Sequence, residues 1–218
     1  LASPAADTPH PSPLDLERFA ATPLQRQPFD FVIVPGFLQA TALPAIEQDF
    51  PEITKGGSFP AQSLSFGQRF ANLLAELQSP GVTDAFAEKF ALDLSGRPTM
   101  VTLRGQSRAK DGQIHTDSRS KLVTALIYLN SQWESDGGRL RMLNSPDDLE
   151  DYAAEVPPQA GTLVAFRCSE QAYHGHKPFV GQRRSIQLNW LTDETVLKRE
   201  LKRHSFSAWT KRILGFGA

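Results

Sequence analysis

The sequence predicts a mainly β chain in which short strands build a barrel, jelly roll or sandwich and preceding helices pack on one face. Three observations carry that prediction. From Pro98 onward, short β-type runs alternate with turn residues. Before Pro98 the apolar residues repeat at helical spacing. The chain has 218 residues, 40% of them apolar, enough for one such domain with a real core.

Taken in order, Phe31-Val32-Ile33-Val34 reads as a strand stopped by Pro35-Gly36. Residues 40–49 read as a helix. Residues 66–78 form a clearer one, because Phe66, Phe70, Leu73, Leu74 and Leu77 share a face. Ser79-Pro80-Gly81 marks a break, and a second helix is expected over 82–93, where Val82, Phe86 and Phe90 recur every four residues. The β runs follow at 99–104, 122–130, 138–143, 162–167 and 184–191. Turn residues separate them, among them Lys110-Asp111-Gly112, Asp136-Gly137-Gly138, Pro157-Pro158 and Gly175. Helices first and strands after place the helices on one side of a mainly antiparallel unit. The expected organisation is a mobile tail over 1–13, one domain over 14–191 with its β core at 98–191, and a helical tail over 192–218. In that tail Leu197, Leu201, Trp209, Ile213 and Leu214 supply an apolar surface for docking on the body; a partner or membrane-surface helix is the alternative.

Composition excludes several classes of function. A formal net charge of −1 gives no reason to invoke nucleic acid. No apolar run is long enough to span a bilayer. The first residues lack the basic start and apolar middle of a signal peptide. The single cysteine, Cys168, cannot form an internal disulfide and reads as a small buried residue. The expected location is cytoplasmic.

The chemistry starts at Gln113-Ile114-His115-Thr116-Asp117. In a strand, residues two apart share a face, so His115 and Asp117 would project together. Of five histidines, His10 and His204 lie in the tail-like ends, which leaves His174 or His176 as a third ligand. Two imidazoles and a carboxylate on one face of a metal leave positions open for substrate and dioxygen, as in non-haem Fe(II) oxygenases. Zinc is the rival on ligand type alone. Downstream, period 2 from Arg183 sends Ser185, Gln187 and Asn189 inward, and Arg184, Ile186, Leu188 and Trp190 the other way. An inner row that is wholly polar is unlike a core strand and like a binding pocket. An inward arginine needs a carboxylate partner, which a diacid co-substrate would supply. Over 122–130, Val123, Ala125, Ile127 and Leu129 share one face, while Leu122, Thr124, Leu126, Tyr128 and Asn130 share the other. Tyr128 then points its hydroxyl toward a partly polar cavity, or is a core tyrosine with a satisfied hydroxyl.

These fragments together resemble the prolyl 4-hydroxylase-like branch of the 2-oxoglutarate/Fe(II) dioxygenases. The resemblance runs from Met100 to about Asp193. It rests on HTD, on LVTALIYLNSQW, on DGGRLRML, on GTLVAF and on HGHKPFVGQRRSIQLNW, where Arg183 stands nine residues after His174. The stretch FDFVIVPGFL resembles the family's entry strand more weakly. The resemblance implies a double-stranded β-helix with Fe(II) held by His115, Asp117 and His174. His174 is preferred over His176 because it alone keeps the family's spacing to Pro178 and Arg183. The resemblance also implies 2-oxoglutarate as co-substrate, its distal carboxylate paired with Arg183 and hydrogen-bonded by Tyr128. Ser185 and Leu140 would line the same pocket, and ascorbate is the expected reductant. The implied activity is hydroxylation of an unactivated C–H bond of an organic substrate by dioxygen, with release of succinate and CO2. Retention of Asp117 argues against a halogenase.

Two departures bear on the substrate. Where related prolyl hydroxylases carry a tyrosine before the His-x-Asp motif, this chain has Leu103-Arg104-Gly105. Arg104 replaces that contact, faces the substrate, or is a solvated loop charge. Where relatives place an aromatic at the end of the arginine strand, this chain has Asn189. Arg104, Gln187 and Asn189 are therefore the candidate substrate or pocket residues. The acidic stretch Glu134, Asp136, Asp147, Asp148, Glu150 and Asp151 reads as a solvated loop, with a lid that attracts a basic substrate as the alternative. A jelly-roll module that binds a metal or small acid without turnover is the competing function class, and a zinc hydrolase is a more distant one.

Overall fold

The computed structural model describes residues 11–202. Its centre is an antiparallel sheet of six strands in the order β1 (Phe31–Val34), β7 (Leu163–Arg167), β4 (Lys121–Tyr128), β9 (Gly181–Leu191), β3 (Thr99–Ser107), β2 (Phe59–Pro60). A second sheet runs β6 (Tyr152–Val156), β5 (Leu140–Leu143), β8 (His174–Gly175). This is the expected class, a mainly β molecule with a double-stranded β-helix core and few helices.

The large sheet divides its side chains by strand alternation. Val101 and Leu103 of β3, Val123, Ala125 and Ile127 of β4, Leu163 and Ala165 of β7, and Ile186, Leu188 and Trp190 of β9 face one way. There they meet Phe70, Leu73 and Leu77 of α3 (Gln68–Leu77) and Val82, Phe86 and Phe90 of α4 (Pro80–Phe90). Phe86 lies 4.6 Å from the Trp190 ring and 4.5 Å from Phe19 of α1 (Leu16–Ala21). The opposite face packs on the small sheet: Tyr128, Val164 and Phe166 meet Leu140, Met142 and Val156.

Four local readings need correction. The second helix starts at Pro80 and ends at Phe90, not at 82 and 93. Ser79 is its cap and accepts a hydrogen bond from the Val82 amide, and Pro80 suits the first helical position because its ring presets φ. Ala91 ends the helix in the left-handed region at φ 51°. The helix expected over 40–49 is the shorter α2 (Leu43–Gln48). The stretch between β5 and β7 holds the additional strand β6, whose exposed Tyr152 and missing alternation hid it. The His-x-Asp segment is not a strand: His115 makes an isolated bridge, and Thr116 to Ser118 are irregular.

Ser12, Pro13 and Leu14 sit against the body. The Gln39 amide donates to the Pro13 carbonyl at 2.9 Å, and Leu14 bridges Leu38. Residues 194–202 are helical, and Val196, Leu197 and Leu201 pack near Met100 and Leu191. The rest of both expected tails, with His10, His204, Trp209, Ile213 and Leu214, lies outside the described residues. No helix among the described residues is long and apolar enough to cross a membrane.

Candidate metal centre

Backbone pairing brings the two histidines together. The His115 amide donates to the His174 carbonyl at 3.1 Å, and the His174 amide donates to the His115 carbonyl at 3.0 Å. Residues that exchange both hydrogen bonds lie directly opposite one another with side chains on the same face. The bridge thus extends the small sheet by one residue beyond β8. Asp117 converges on the pair, and one ligand atom from each of His115, Asp117 and His174 lies within 4.8 Å of the others.

Donor geometry prepares all three. Nδ1 of His115 lies 2.8 Å from the Gln113 carbonyl, and Nδ1 of His174 lies 2.9 Å from the Ala172 carbonyl. A carbonyl can only accept, so each Nδ1 carries the proton and each Nε2 keeps a free lone pair. Burial, then the neighbouring His115 ring, push the His174 pKa down to about 4, so the ring is neutral near pH 7. Burial alone would raise the Asp117 pKa, but Lys121, His174 and Thr124 outweigh it and hold the carboxyl below its ordinary value. Lys121 Nζ is 2.8 Å from Asp117 Oδ1, and the Thr124 hydroxyl donates to Oδ2. This donor set, two imidazoles with an ionised carboxylate, fits a divalent first-row metal.

A cavity of about 110 Å³ opens on the cluster, lined by His115, Asp117, His174, Leu140, Arg183, Ser185 and Gln187 among others. Arg183, 5% exposed, donates from Nε to the Gly138 carbonyl at 2.8 Å and from Nη2 to the Tyr128 hydroxyl at 3.4 Å. Among the described residues no carboxylate lies within ion-pair distance of it. Tyr128 itself is fully buried behind Arg183. Arg104 is on β3, not in a loop. It faces the cavity opposite Ser185, pairs with Asp111 at 3.2 Å and donates to Ser58. Asn189 is fully buried and does not line the cavity; it bonds Gln187 and Thr124 instead.

His176 stands outside the cluster of three. It lines the cavity with its Nδ1 2.8 Å from the Lys177 carbonyl. Burial first, then Arg183, lower its pKa to about 4. Lys121, Thr124, Ser58 and Thr102 also line this region and were not singled out from the sequence. For Thr124 the signal was present, since it shares the inward face of β4 with Tyr128. Lys121 and Ser58 reach the site from segments whose register no local pattern reveals. In the acidic stretch, Glu150 is not simply solvated: it pairs with Arg141 at 2.9 Å and Lys177 at 2.8 Å.

Residues 105–192 match the family model described as the 2OG-Fe(II) oxygenase superfamily, whose metal is Fe(II) and whose co-substrate is 2-oxoglutarate. No curated protein matches. Among solved structures, a Pseudomonas putida prolyl-4-hydroxylase aligns with TM-score 0.55 at 19% identity, covering 82% of this chain and 97% of that one. A viral collagen prolyl hydroxylase from Paramecium Bursaria Chlorella virus-1 aligns with TM-score 0.50 at 13% identity, covering 75% and 90%. A prolyl 4-hydroxylase from Phytophthora capsici gives TM-score 0.50 at 17% identity, covering 74% and 58%. At these identities the solved structures establish the fold, a double-stranded β-helix. The family model and these neighbours agree with the prolyl-4-hydroxylase-like resemblance read from the sequence.

Proposed function

We propose that this oxygenase core is an active Fe(II)- and 2-oxoglutarate-dependent dioxygenase that hydroxylates an unactivated C–H bond. The observation that carries the reading is Arg183: a buried guanidinium without an acidic partner among the described residues, opening on the same cavity as a His–Asp–His cluster. An uncompensated buried charge is expensive, and a dicarboxylate that reaches from the metal to Arg183 removes that cost. A module that held only a metal would have no use for it.

In this mechanism His115, Asp117 and His174 hold Fe(II). When bound, the iron supplies the oxidising chemistry: with dioxygen, 2-oxoglutarate goes to succinate and CO2, and one oxygen atom enters the substrate C–H bond. The protein binds, orients and excludes water. Arg183 pairs in two-pronged fashion with the distal carboxylate, and the Tyr128 hydroxyl holds the guanidinium in place. Ser185 lies between Arg183 and Gln187 on the cavity face of β9. Leu140 walls the same end and keeps water from it. Arg104 and Gln187 face the organic substrate; Asn189 supports Gln187 from behind.

Anaerobic reconstitution with Fe(II) and 2-oxoglutarate, then oxygen and ascorbate, tests the reading. Slow succinate formation is expected even before the substrate is identified, and His115→Ala should abolish both metal binding and succinate. His176→Ala should keep the metal. Tight iron binding with no succinate from any substrate tried would favour the non-catalytic module.

A further inference from the structure

Asp117 is the end of a chain of side chains that starts at the cavity wall. Gln187 lines the cavity, and its Nε2 donates to Asn189 Oδ1 at 3.0 Å. Asn189 Nδ2 donates to the Thr124 hydroxyl oxygen at 2.7 Å. The Thr124 hydroxyl donates to Asp117 Oδ2. Lys121 occupies the other carboxylate oxygen, Oδ1.

The direction of this chain is not arbitrary. An ionised carboxylate only accepts, so the Thr124 proton must point at Asp117. The oxygen of Thr124 is then left to accept, which requires the amide nitrogen of Asn189. The carbonyl of Asn189 must therefore face the amide nitrogen of Gln187. One end thus sets the orientation of both amide groups, and Gln187 Oε1 is left as the acceptor it can offer to a molecule in the cavity. The Cys168 sulfur, 3.3 Å from the Thr124 oxygen, is a weaker competitor for the Thr124 proton than a carboxylate.

We propose that Thr124 and Asn189 are positioning residues for the metal-binding carboxylate, a one-way hydrogen-bond relay that, with Lys121, stops Asp117 from rotating and ties its orientation to Gln187 at the cavity wall. With a donor on each oxygen, the carboxylate plane is pinned and its remaining lone pairs are aimed before a metal arrives. The inference rests on the reading of His115, Asp117 and His174 as a metal site.

Thr124→Val removes the hydroxyl and keeps the buried shape, Thr124→Ser keeps the hydroxyl, and Asn189→Leu breaks the relay one step back. The probe is Co(II), titrated without 2-oxoglutarate and followed by its visible ligand-field spectrum, with thermal melts of the metal-free proteins alongside. Partners that orient metal ligands are typically worth on the order of 10- to 100-fold in affinity. Thr124→Val should weaken Co(II) by that amount and alter the spectrum, Thr124→Ser should recover most of it, and Asn189→Leu should fall between. If Thr124→Val binds Co(II) as tightly as the wild type with an unchanged spectrum, the relay has no positioning role, even if the variant melts lower. If the wild type itself shows no Co(II) spectrum that depends on His115, the metal reading fails and the relay's role with it.

Discussion

Arg183 is buried against Gly138 and Tyr128, whereas the next residue, Arg184, lies half-buried over the Phe50 ring on the other face of the sheet. The pair is an internal control for co-substrate binding. Losing one partner of a desolvated charge pair typically costs about 2–5 kcal/mol, roughly 30- to several-thousand-fold in affinity. Arg183→Ala should raise the 2-oxoglutarate constant by that factor in a succinate-formation assay, Arg183→Lys should be intermediate, and Arg184→Ala should change little. Equal defects in the two alanine variants would remove the assigned role. A second prediction at this scale concerns Asp111, which accepts from Arg108 at 2.9 Å and pairs with Arg104. Burial would raise its pKa, but the Arg108 hydrogen bonds and the Arg104 charge outweigh that and hold it below the usual carboxylate range. A carboxyl with a depressed folded pKa adds stability above its unfolded pKa, about 4, and loses it as pH falls through the lower folded value. Asp111→Asn should therefore be less stable than the wild type at pH 7, and urea midpoints should show the gap closing below about pH 4.

At the scale of elements, the ligand pair depends on how closely the 112–115 segment lies along β8. Gly175 permits that approach. A Cβ on residue 175 would come 2.9 Å from the Gly112 carbonyl oxygen, and the obstacle is backbone, which cannot rotate away. Gly175→Ala should push the two segments apart and disturb the paired amides of His115 and His174. We expect metal affinity to fall by about tenfold or more, the scale of lost ligand orientation. Circular dichroism should remain that of a folded β protein. Unchanged Co(II) affinity in Gly175→Ala would show that the bridge does not set the ligand geometry.

Across the whole molecule, apolar layers flank the large sheet on both faces. Phe86 ties the helical layer to the sheet through Phe19, Phe90 and Trp190, on the face opposite Arg183 and Gln187. Emptying a buried phenylalanine site costs about 3–5 kcal/mol, and in a domain of this size each kcal/mol is worth about 2–4 °C. Phe86→Ala should lower the melting temperature by about 6–20 °C and leave Co(II) affinity within a few-fold of the wild type at temperatures where it is folded. A large loss of metal affinity in the still-folded variant would mean that the helix layer sets the site as well as the stability.

What could be read without a structure was whatever repeats locally. Strand alternation has period 2, so naming Arg183 as inward also placed Ser185, Gln187 and Asn189 inward and sent Ile186, Leu188 and Trp190 to the helices. The same rule separated Val123, Ala125 and Ile127 from Thr124 and Tyr128. The family resemblance, through its spacing to Pro178 and Arg183, preferred His174 over His176, and the cluster formed with His115 and Asp117 contains His174. Local rules failed where a residue's surroundings come from distant chain. Period 2 put His115 and Asp117 on one face for the wrong reason, since the segment is a single bridge and not a strand. Asn189 alternates inward but is shielded from the cavity by Gln187 and Thr124, a packing fact. Asn189 on Thr124, Ser58 on Arg104, Gly138 on Arg183, and the lack of an acid near Arg183 among the described residues depend on cross-strand register and on which loops meet. Alternation is a property of one strand's backbone geometry and is written in consecutive residues. Partner choice is decided between segments tens of residues apart, and only the folded chain brings those segments within hydrogen-bonding distance.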